Sequence, residues 1–180
     1  MTRCVGGGFC EAKSTFFYAI ILNMNIKIRK ATIKDLDGVL ILVKKLIDFH
    51  HDLDTCYRPA SKRRLMKSFL EKTFREKNTE IFVAEENKII VGYLMINVSK
   101  TQQRYSFSKM GSVWDIFIEE EYRRKGLTKK LLREALEWFR LKGVRNIELS
   151  VNFKNKIGIK TWQKLGFSNQ EITMFMKLKL

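Results

Sequence analysis

The sequence has few of the residues that hold small secreted proteins or metal sites together. Its 180 residues include three cysteines, two histidines and one proline. The cysteines, Cys4, Cys10 and Cys56, are too few and too scattered for a disulfide framework or a zinc site. We expect them to be reduced thiols of a cytoplasmic protein. A single proline argues against long disordered linkers, and the length allows one compact domain with a proper core.

Long apolar runs are also missing. No run approaches the ~20 residues that a membrane-spanning helix needs. A seven-residue apolar run at 16–22 is followed by Asn-Met-Asn, where a secretory signal would have small residues for cleavage. Residues 1–23, which also contain a glycine triplet, differ in composition from the rest. We interpret residues 1–23 as an extension and residues 24–180 as a single domain.

Acidic residues are scarce relative to basic ones. The chain has 35 Lys and Arg against 19 Asp and Glu, a formal charge of +16. Such an excess favours anionic partners, including nucleic acid, acidic proteins and phosphorylated cofactors. The cations are spread along the chain, with no sustained block beyond short runs such as "SKRR" at 61–64. This spread argues against a dedicated nucleic-acid surface.

Hydrophobic periodicity predicts the order β-α-α-β-β-β-α-β-α-β. The predicted strands are 25–32, a hairpin of two strands at 80–99, 109–118, 144–151 and 171–179. The predicted helices begin after a capping box of Thr32 and Asp35, after a cap at Ser61, at Leu127 and at Asn155. Strands separated by helices on short connections predict an α/β domain, with a mixed sheet and helices on both faces.

The helix that begins at Leu127 has an unusual N-terminus. It follows "YRRKG", although Ser, Thr, Asp or Asn normally caps a helix and cations oppose its dipole. Free N–H groups at a helix start bind phosphate, and Gly126 lets a large anion approach the backbone closely. The side chains expected to meet that anion are Arg123, Arg124, Lys125 and Thr128. The pattern therefore predicts a bound diphosphate, although neither a P-loop nor G-x-G-x-x-G is present.

Two motifs resemble the GNAT superfamily of N-acetyltransferases. Residues 123–128, "RRKGLT", resemble its motif A, [QR]-x-x-G-x-[GA], with Thr128 at the last position. Residues 155–167, "NKIGIKTWQKLGF", resemble its N-x-x-A-x-x-x-Y-x-x-x-G-F segment, with Trp162 at the tyrosine position. The resemblance covers nearly everything from Ile26 to the C-terminus. It implies a mostly antiparallel twisted sheet with splayed central strands.

The resemblance also implies a site for acetyl-CoA. The amides of 123–128 would hold the diphosphate, the strand before them would pair with the pantetheine arm, and Asn155 would contact the cofactor. The implied cofactor-binding residues are Ile116, Phe117, Ile118, Arg123, Arg124, Lys125, Gly126, Leu127, Thr128 and Asn155. No metal is expected, since His50 and His51 are the only histidines.

The implied reaction is direct attack of a primary amine on the thioester in a ternary complex. An amine with a Lys-like pKa near ~10.4 must first lose a proton, and Asp115 is the candidate base, with a structural carboxylate as the alternative. Trp162 stands where the family usually has a tyrosine that protonates the thiolate, and an indole can only donate a hydrogen bond. Trp162 therefore either stabilises the thiolate or packs, and Tyr122 or a water is the other proton donor to consider.

Three functions stay open at this point. The first is an N-acetyltransferase acting on an amine of a small molecule, peptide or protein, for which Asp52 and Asp54 favour a cationic acceptor. The second is a CoA-binding module without catalysis, suggested by the missing tyrosine. The third is a basic nucleic-acid or ribosome-associated protein. A homodimer also stays open.

Overall fold

The structure is a computed structural model that describes residues 25–176 and 178. The predicted extension at 1–23 lies outside the described residues. The described strands are β1 (Lys27–Lys30), β2 (Thr79–Glu86), β3 (Ile89–Lys100), β4 (Lys109–Ile118) and β5 (Ile147–Leu149). The described α-helices are α1 (Leu36–Leu53), α2 (Met66–Thr73), α3 (Leu127–Leu141) and α4 (Lys156–Lys164). None of these helices is long and apolar enough to cross a membrane.

The five strands form one sheet in the order β1-β2-β3-β4-β5. The first three pairings are antiparallel and the last, β4 with β5, is parallel. Asn87 and Lys88 turn the β2–β3 hairpin with positive φ angles of 50° and 67°, the backbone that a tight two-residue hairpin needs. The mixed, mostly antiparallel sheet predicted from the sequence is confirmed.

Helices cover both faces of the sheet, because successive side chains of a strand point to opposite sides. On β3, Tyr93 and Met95 pack against the core of α1 and α2, while Leu94 and Ile96 pack against the core of α3 and α4. All four side chains are 1% exposed or less. Burial on both faces explains why β3 reads as a nearly continuous apolar run.

A β-bulge at Trp114 changes which face the second half of β4 presents. Asp115 is opposite Met95 and Val113 is opposite Ile96, so Trp114 has no partner on β3. Val113 consequently joins the core under α3, whereas Asp115 lies on the α1 side with Met95. A bulge of this kind re-aims side chains and is common beside active sites.

The parallel pairing of β4 with β5 ends early. It consists of Gly111 with Ile147, Ser112 with Glu148, and Val113 with Leu149. In the described structure, the remainder of β4 up to Ile118 pairs with β3 alone. The two strands therefore part after Val113, as the predicted splayed strands require, and one backbone edge of β4 is left open there.

Two predicted features differ from the structure. The second helix begins at Met66, and Ser61 lies in a short 3-10 turn instead of capping it. The strand predicted at 171–179 does not form over 171–176, where Ile172 and Met174 are 86% and 90% exposed. Alternation of apolar and polar residues indicates which side chains of a strand would be buried. A strand also needs a neighbouring strand to hydrogen-bond with, and residues 171–176 have none among the described strands.

A compact ion cluster fixes the start of α1 to the sheet. Arg29 of β1 donates to both carboxylate oxygens of Asp35 at 2.7 and 2.8 Å, and to Glu85 of β2. Asp35 also accepts the Thr32 N–H at 2.7 Å, which confirms a cap at this helix start. The hydrogen bonds from Arg29, with those from Thr32, lower the pKa of Asp35 to about 2.

The substitution Asp35→Asn is expected to lower the free energy of unfolding by about 1–2 kcal/mol at pH 7, because it removes a charged acceptor at a helix start. The folded-state pKa lies below the ordinary value of about 3.9. The contribution is therefore complete above about pH 4 and is lost as the pH falls toward 2. Urea unfolding across this range measures it.

Asp37→Asn is the matched control. Asp37 is in the first turn of the same helix and pairs with Lys67 at 3.0 Å, but both side chains are more than half exposed. We expect a change below about 0.5 kcal/mol. Equal effects of the two substitutions would contradict the role assigned to the cluster.

Candidate active site

The N-terminus of α3 is open. Gly126 occupies the cap position with a left-handed φ of 75°, and no side chain of the described residues caps the helix. The first intrahelical bond runs from the Lys130 N–H to the Gly126 carbonyl at 3.1 Å, so the amides of Leu127, Thr128 and Lys129 precede the hydrogen-bonded turns. A Cβ added at Gly126 would meet no atom within 4 Å. The first turn of α3 therefore has free N–H donors with open space before them, which are the features that a helix N-terminus needs to bind an anion.

The loop before α3 is held in an unusual backbone conformation. Arg124 has a φ of 61°, in the left-handed region that a non-glycine residue rarely adopts, and Gly126 follows two residues later. Such strain tends to occur at functional sites. Arg123 fastens the loop to β4, since its Nε donates to the Ile118 carbonyl at 3.0 Å and its guanidinium lies 5.5 Å from the Phe117 ring centre. Arg124 is exposed.

Asn155 caps α4. Its side-chain oxygen accepts the Gly158 N–H at 2.8 Å, which satisfies one free donor of the first turn. Asn155, which belongs to the second predicted motif, therefore stabilises the N-terminus of α4. Its amide NH₂ is not used by that bond and remains a potential donor to a ligand.

Trp162 and Tyr122 are both engaged within the protein. Trp162 is 8% exposed, belongs to the core under α3 and α4, and contacts Phe167 edge to face at 5.3 Å. These contacts favour the packing alternative. The Tyr122 hydroxyl donates to Glu86, which raises the pKa of Tyr122 to about 12. Because its proton is already donated to a carboxylate and its pKa is raised, the Tyr122 hydroxyl is poorly suited to protonate a leaving thiolate.

Asp115 lies on the α1 side of β4, one residue beyond the bulge and within the stretch that β5 leaves unpaired. Burial raises the pKa of the Asp115 carboxyl, and the charge of the nearby Arg63 opposes part of that rise. A raised pKa brings a carboxylate closer to the range of an efficient general base. The geometry thus keeps Asp115 as the candidate base.

Three residues that interact with Asp115, directly or through Arg63, were not predicted as site residues from the sequence. Tyr93 of β3, His50 of α1 and Arg63, which precedes α2, are linked to Asp115 or to one another by charge interactions. His50 lies near the end of α1, and its ring is half-buried and flanked by Phe49 and Tyr57 at 5.7 and 5.6 Å. Only the fold brings these four residues together, so no local pattern could have found them.

Asp54, just after α1, and Asp48, within α1, have protein partners. Asp54 pairs with Lys154 at 2.9 Å and accepts the Cys56 N–H, which lowers the pKa of Asp54 to about 2. Asp48, six residues earlier and within α1, accepts the Ala60 N–H at 2.8 Å. The Asp54–Lys154 pair joins the loop after α1 to the segment before α4. Because Lys154 neutralises Asp54, that residue no longer supports the preference for a cationic acceptor.

Comparison with known proteins gives concordant matches. The model of the Acetyltransferase (GNAT) family matches residues 46–167. An uncharacterised N-acetyltransferase of Methanocaldococcus jannaschii is 26% identical over 166 residues, 91% of this chain and 69% of the relative. An N-alpha-acetyltransferase of Sulfurisphaera tokodaii is 32% identical over 111 residues, 58% of this chain and 65% of the relative.

The fold also matches solved structures. An aminoglycoside N-acetyltransferase in complex with CoA superposes with a TM-score of 0.72 at 20% identity, covering 88% of this chain and 97% of that one. A Bacillus halodurans protein superposes with a TM-score of 0.76 at 21% identity, covering 85% and 99%. At such identities the likeness concerns the fold alone.

Proposed function

This chain belongs to the GNAT family of acetyltransferases, and from that premise we propose that it transfers the acetyl group of acetyl-CoA to a primary amine. One observation carries the proposal. The open N-terminus of α3 and the unpaired edge of β4 lie at opposite ends of one short connection, residues 119–126. A ligand with a diphosphate at one end and an amide-containing arm at the other could bind the helix N-terminus and pair with the strand edge at the same time.

The cofactor-binding roles follow from that placement. The diphosphate of acetyl-CoA would accept hydrogen bonds from the amides of Gly126, Leu127 and Thr128, with Arg124 and Lys125 balancing its charge. Arg123 would contribute mainly by holding the loop against Ile118. Several solved structures share this fold, and they include an aminoglycoside N-acetyltransferase in complex with CoA.

The pantetheine arm would extend the sheet from β4. Beyond Val113 the backbone of Ile116, Phe117 and Ile118 has no neighbour on the β5 side among the described strands, and an extended amide-bearing chain can pair with such an edge. Asn155 would donate from the start of α4. The acetyl group would then lie in the gap between the parting strands.

Asp115 would accept a proton from the acceptor ammonium. The neutral amine would then attack the thioester carbonyl, the Ile118 amide would stabilise the oxyanion, and the C–S bond would break to release CoA thiolate. Water protonates the thiolate, because Trp162 is packed in the core and Tyr122 is bound to Glu86. The second amine proton leaves to solvent.

The acceptor is an amine whose identity the site does not fix by charge. One relative is named an N-alpha-acetyltransferase and one structural neighbour an aminoglycoside N-acetyltransferase. We propose acceptors of the small-molecule, peptide or protein class, with a cytoplasmic location as a prediction. Release of free thiol from acetyl-CoA across a panel of amines and peptides distinguishes this function from a CoA-binding module without catalysis.

Gly126→Val is expected to weaken acetyl-CoA binding by at least about tenfold, because the new side chain projects into the space before the α3 amides and strains the backbone. The charge-reversed variant with Arg124→Glu and Lys125→Glu should lose binding to a similar or greater extent. Isothermal titration calorimetry with acetyl-CoA measures both.

The control is Gly143→Val at the other end of α3. Gly143 has a similar φ of 70° and also lacks close neighbours, the nearest being Lys109 Nζ at 3.8 Å from an added Cβ. It carries the same backbone strain far from the open N-terminus. Unchanged affinity in Gly126→Val, or equal loss in both variants, would refute the diphosphate site.

Asp115→Asn is expected to lower kcat by about 10²–10⁴-fold, the usual contribution of a general base, with little change in affinity for acetyl-CoA. In the wild type, the rate should fall as the pH drops through the raised pKa of Asp115, because protonation removes the base. This acid limb should disappear in Asp115→Asn. A variant with wild-type kcat and an unchanged limb would leave Asp115 with a structural role only.

A further inference from the structure

Two buried polar atoms in the described part of the chain have no hydrogen-bond partner. They are the Tyr93 hydroxyl oxygen and His50 Nδ1. Buried polar groups in proteins are nearly always hydrogen-bonded, so each exception points to a bound water, a ligand or a function. Both atoms belong to the α1 side of the sheet, where Asp115 also lies.

Tyr93 and Asp115 are diagonal neighbours on one face of adjacent strands. Tyr93 is opposite Phe117, Asp115 precedes Phe117 by two residues, and no bulge intervenes between them. Diagonal neighbours lie about 7–8 Å apart at their backbones, a distance that a long aromatic side chain spans in part. Burial raises the pKa of Tyr93 well above its ordinary value, and the negative charge of Asp115 adds to the rise. The hydroxyl therefore stays protonated and can donate.

Packing alone does not explain a tyrosine at this position. Tyr93 is fully buried, at 0% exposure, among apolar side chains that include Val83 and Met95. Phenylalanine would fill the same volume without desolvating a hydroxyl. The Tyr93 hydroxyl is thus buried near the Asp115 carboxylate and has no direct hydrogen-bond partner.

The other groups around Asp115 complete a polar cluster, which we define as His50, Arg63, Tyr93 and Asp115. Arg63, from the segment before α2, acts on both Asp115 and His50 through its charge. Burial and that charge lower the pKa of His50, so its imidazole is neutral near pH 7. A cluster with a donor, a neutral imidazole and a carboxylate is polar enough to hold a bridging water.

We propose that Tyr93 is a positioning residue for the base: through one bridging water, its hydroxyl donates to the Asp115 carboxylate and orients it toward the acceptor amine. This inference rests on the proposed function for its catalytic meaning. The bulge at Trp114 is what brings the carboxylate to the face of Tyr93. Asp115 takes one proton from the ammonium, and Tyr93 keeps its own proton throughout.

The test is Tyr93→Phe, which removes only the hydroxyl. We expect kcat to fall by about tenfold, less than the loss of the base itself, with KM for acetyl-CoA unchanged. Loss of a donor to the charged carboxylate should raise the pKa of Asp115 and move the acid limb of the rate profile to higher pH. Tyr105→Phe, in the loop between β3 and β4, is the control and should change neither quantity.

A measurement independent of activity separates this inference from the proposed function. A carbon-13 NMR titration of the Asp115 carboxyl should give a higher pKa in Tyr93→Phe than in the wild type, whether or not any amine is acetylated. An unchanged Asp115 pKa, or an unchanged rate profile in an active enzyme, overturns the positioning role. Unfolding in urea should show Tyr93→Phe to be folded at pH 7 and less stable there than the wild type, because a rise in the folded-state pKa of Asp115 lowers the stability of the form with an ionised carboxylate.

A double-mutant cycle completes the test. If Tyr93 acts through Asp115, Tyr93→Phe has no further effect on the residual rate of Asp115→Asn. Independent, multiplying effects would show that Tyr93 acts by another route and would overturn the inference. Absence of acetyl transfer by the wild-type protein would instead count against the proposed function, and the NMR titration would still decide the coupling.

Discussion

The site depends on a helix that begins without a cap. Most helices satisfy their first amides with a side-chain oxygen, and α4 of this chain does so through Asn155. In α3, Gly126 occupies the cap position and basic residues precede it. The first turn therefore has N–H groups without a capping side chain and a positive electrostatic potential. A bound anion resolves both conditions. In the proposed complex, the positions of the cofactor, the thioester and the acceptor would all follow from where that anion binds.

The sheet provides the second half of the arrangement. Parallel pairing of β4 with β5 ends at Val113, and the bulge at Trp114 follows immediately. The first feature opens a backbone edge toward which an amide-bearing arm can extend. The second turns Asp115 from the α3 side to the α1 side. In the proposed function, a single irregular stretch of β4 would therefore separate the cofactor from the acceptor and supply the candidate base between them.

The sequence allowed most of the framework to be predicted, because its signals are local. The capping residues at Thr32 and Asp35, the hairpin turn at Asn87 and the glycine before Leu127 each determine a structure within a few residues. Long-range features were less accessible. Alternation along β4 would have put Asp115 on the face of Val113, and only the register with β3 reveals the bulge. The cluster of His50, Arg63, Tyr93 and Asp115 comes from four separate segments, and the strand expected at 171–179 depended on a partner that alternation cannot supply.

The central claim is that a diphosphate binds the amides at the start of α3, and an NMR titration of nitrogen-15-labelled protein tests it directly. Addition of CoA should shift the amide signals of Gly126, Leu127 and Thr128 and leave that of Gly143 unchanged. Pantetheine, which has the arm but no diphosphate, should leave all four unchanged at the same concentration. Equal shifts with both compounds, or none at the α3 amides with CoA, would contradict the account.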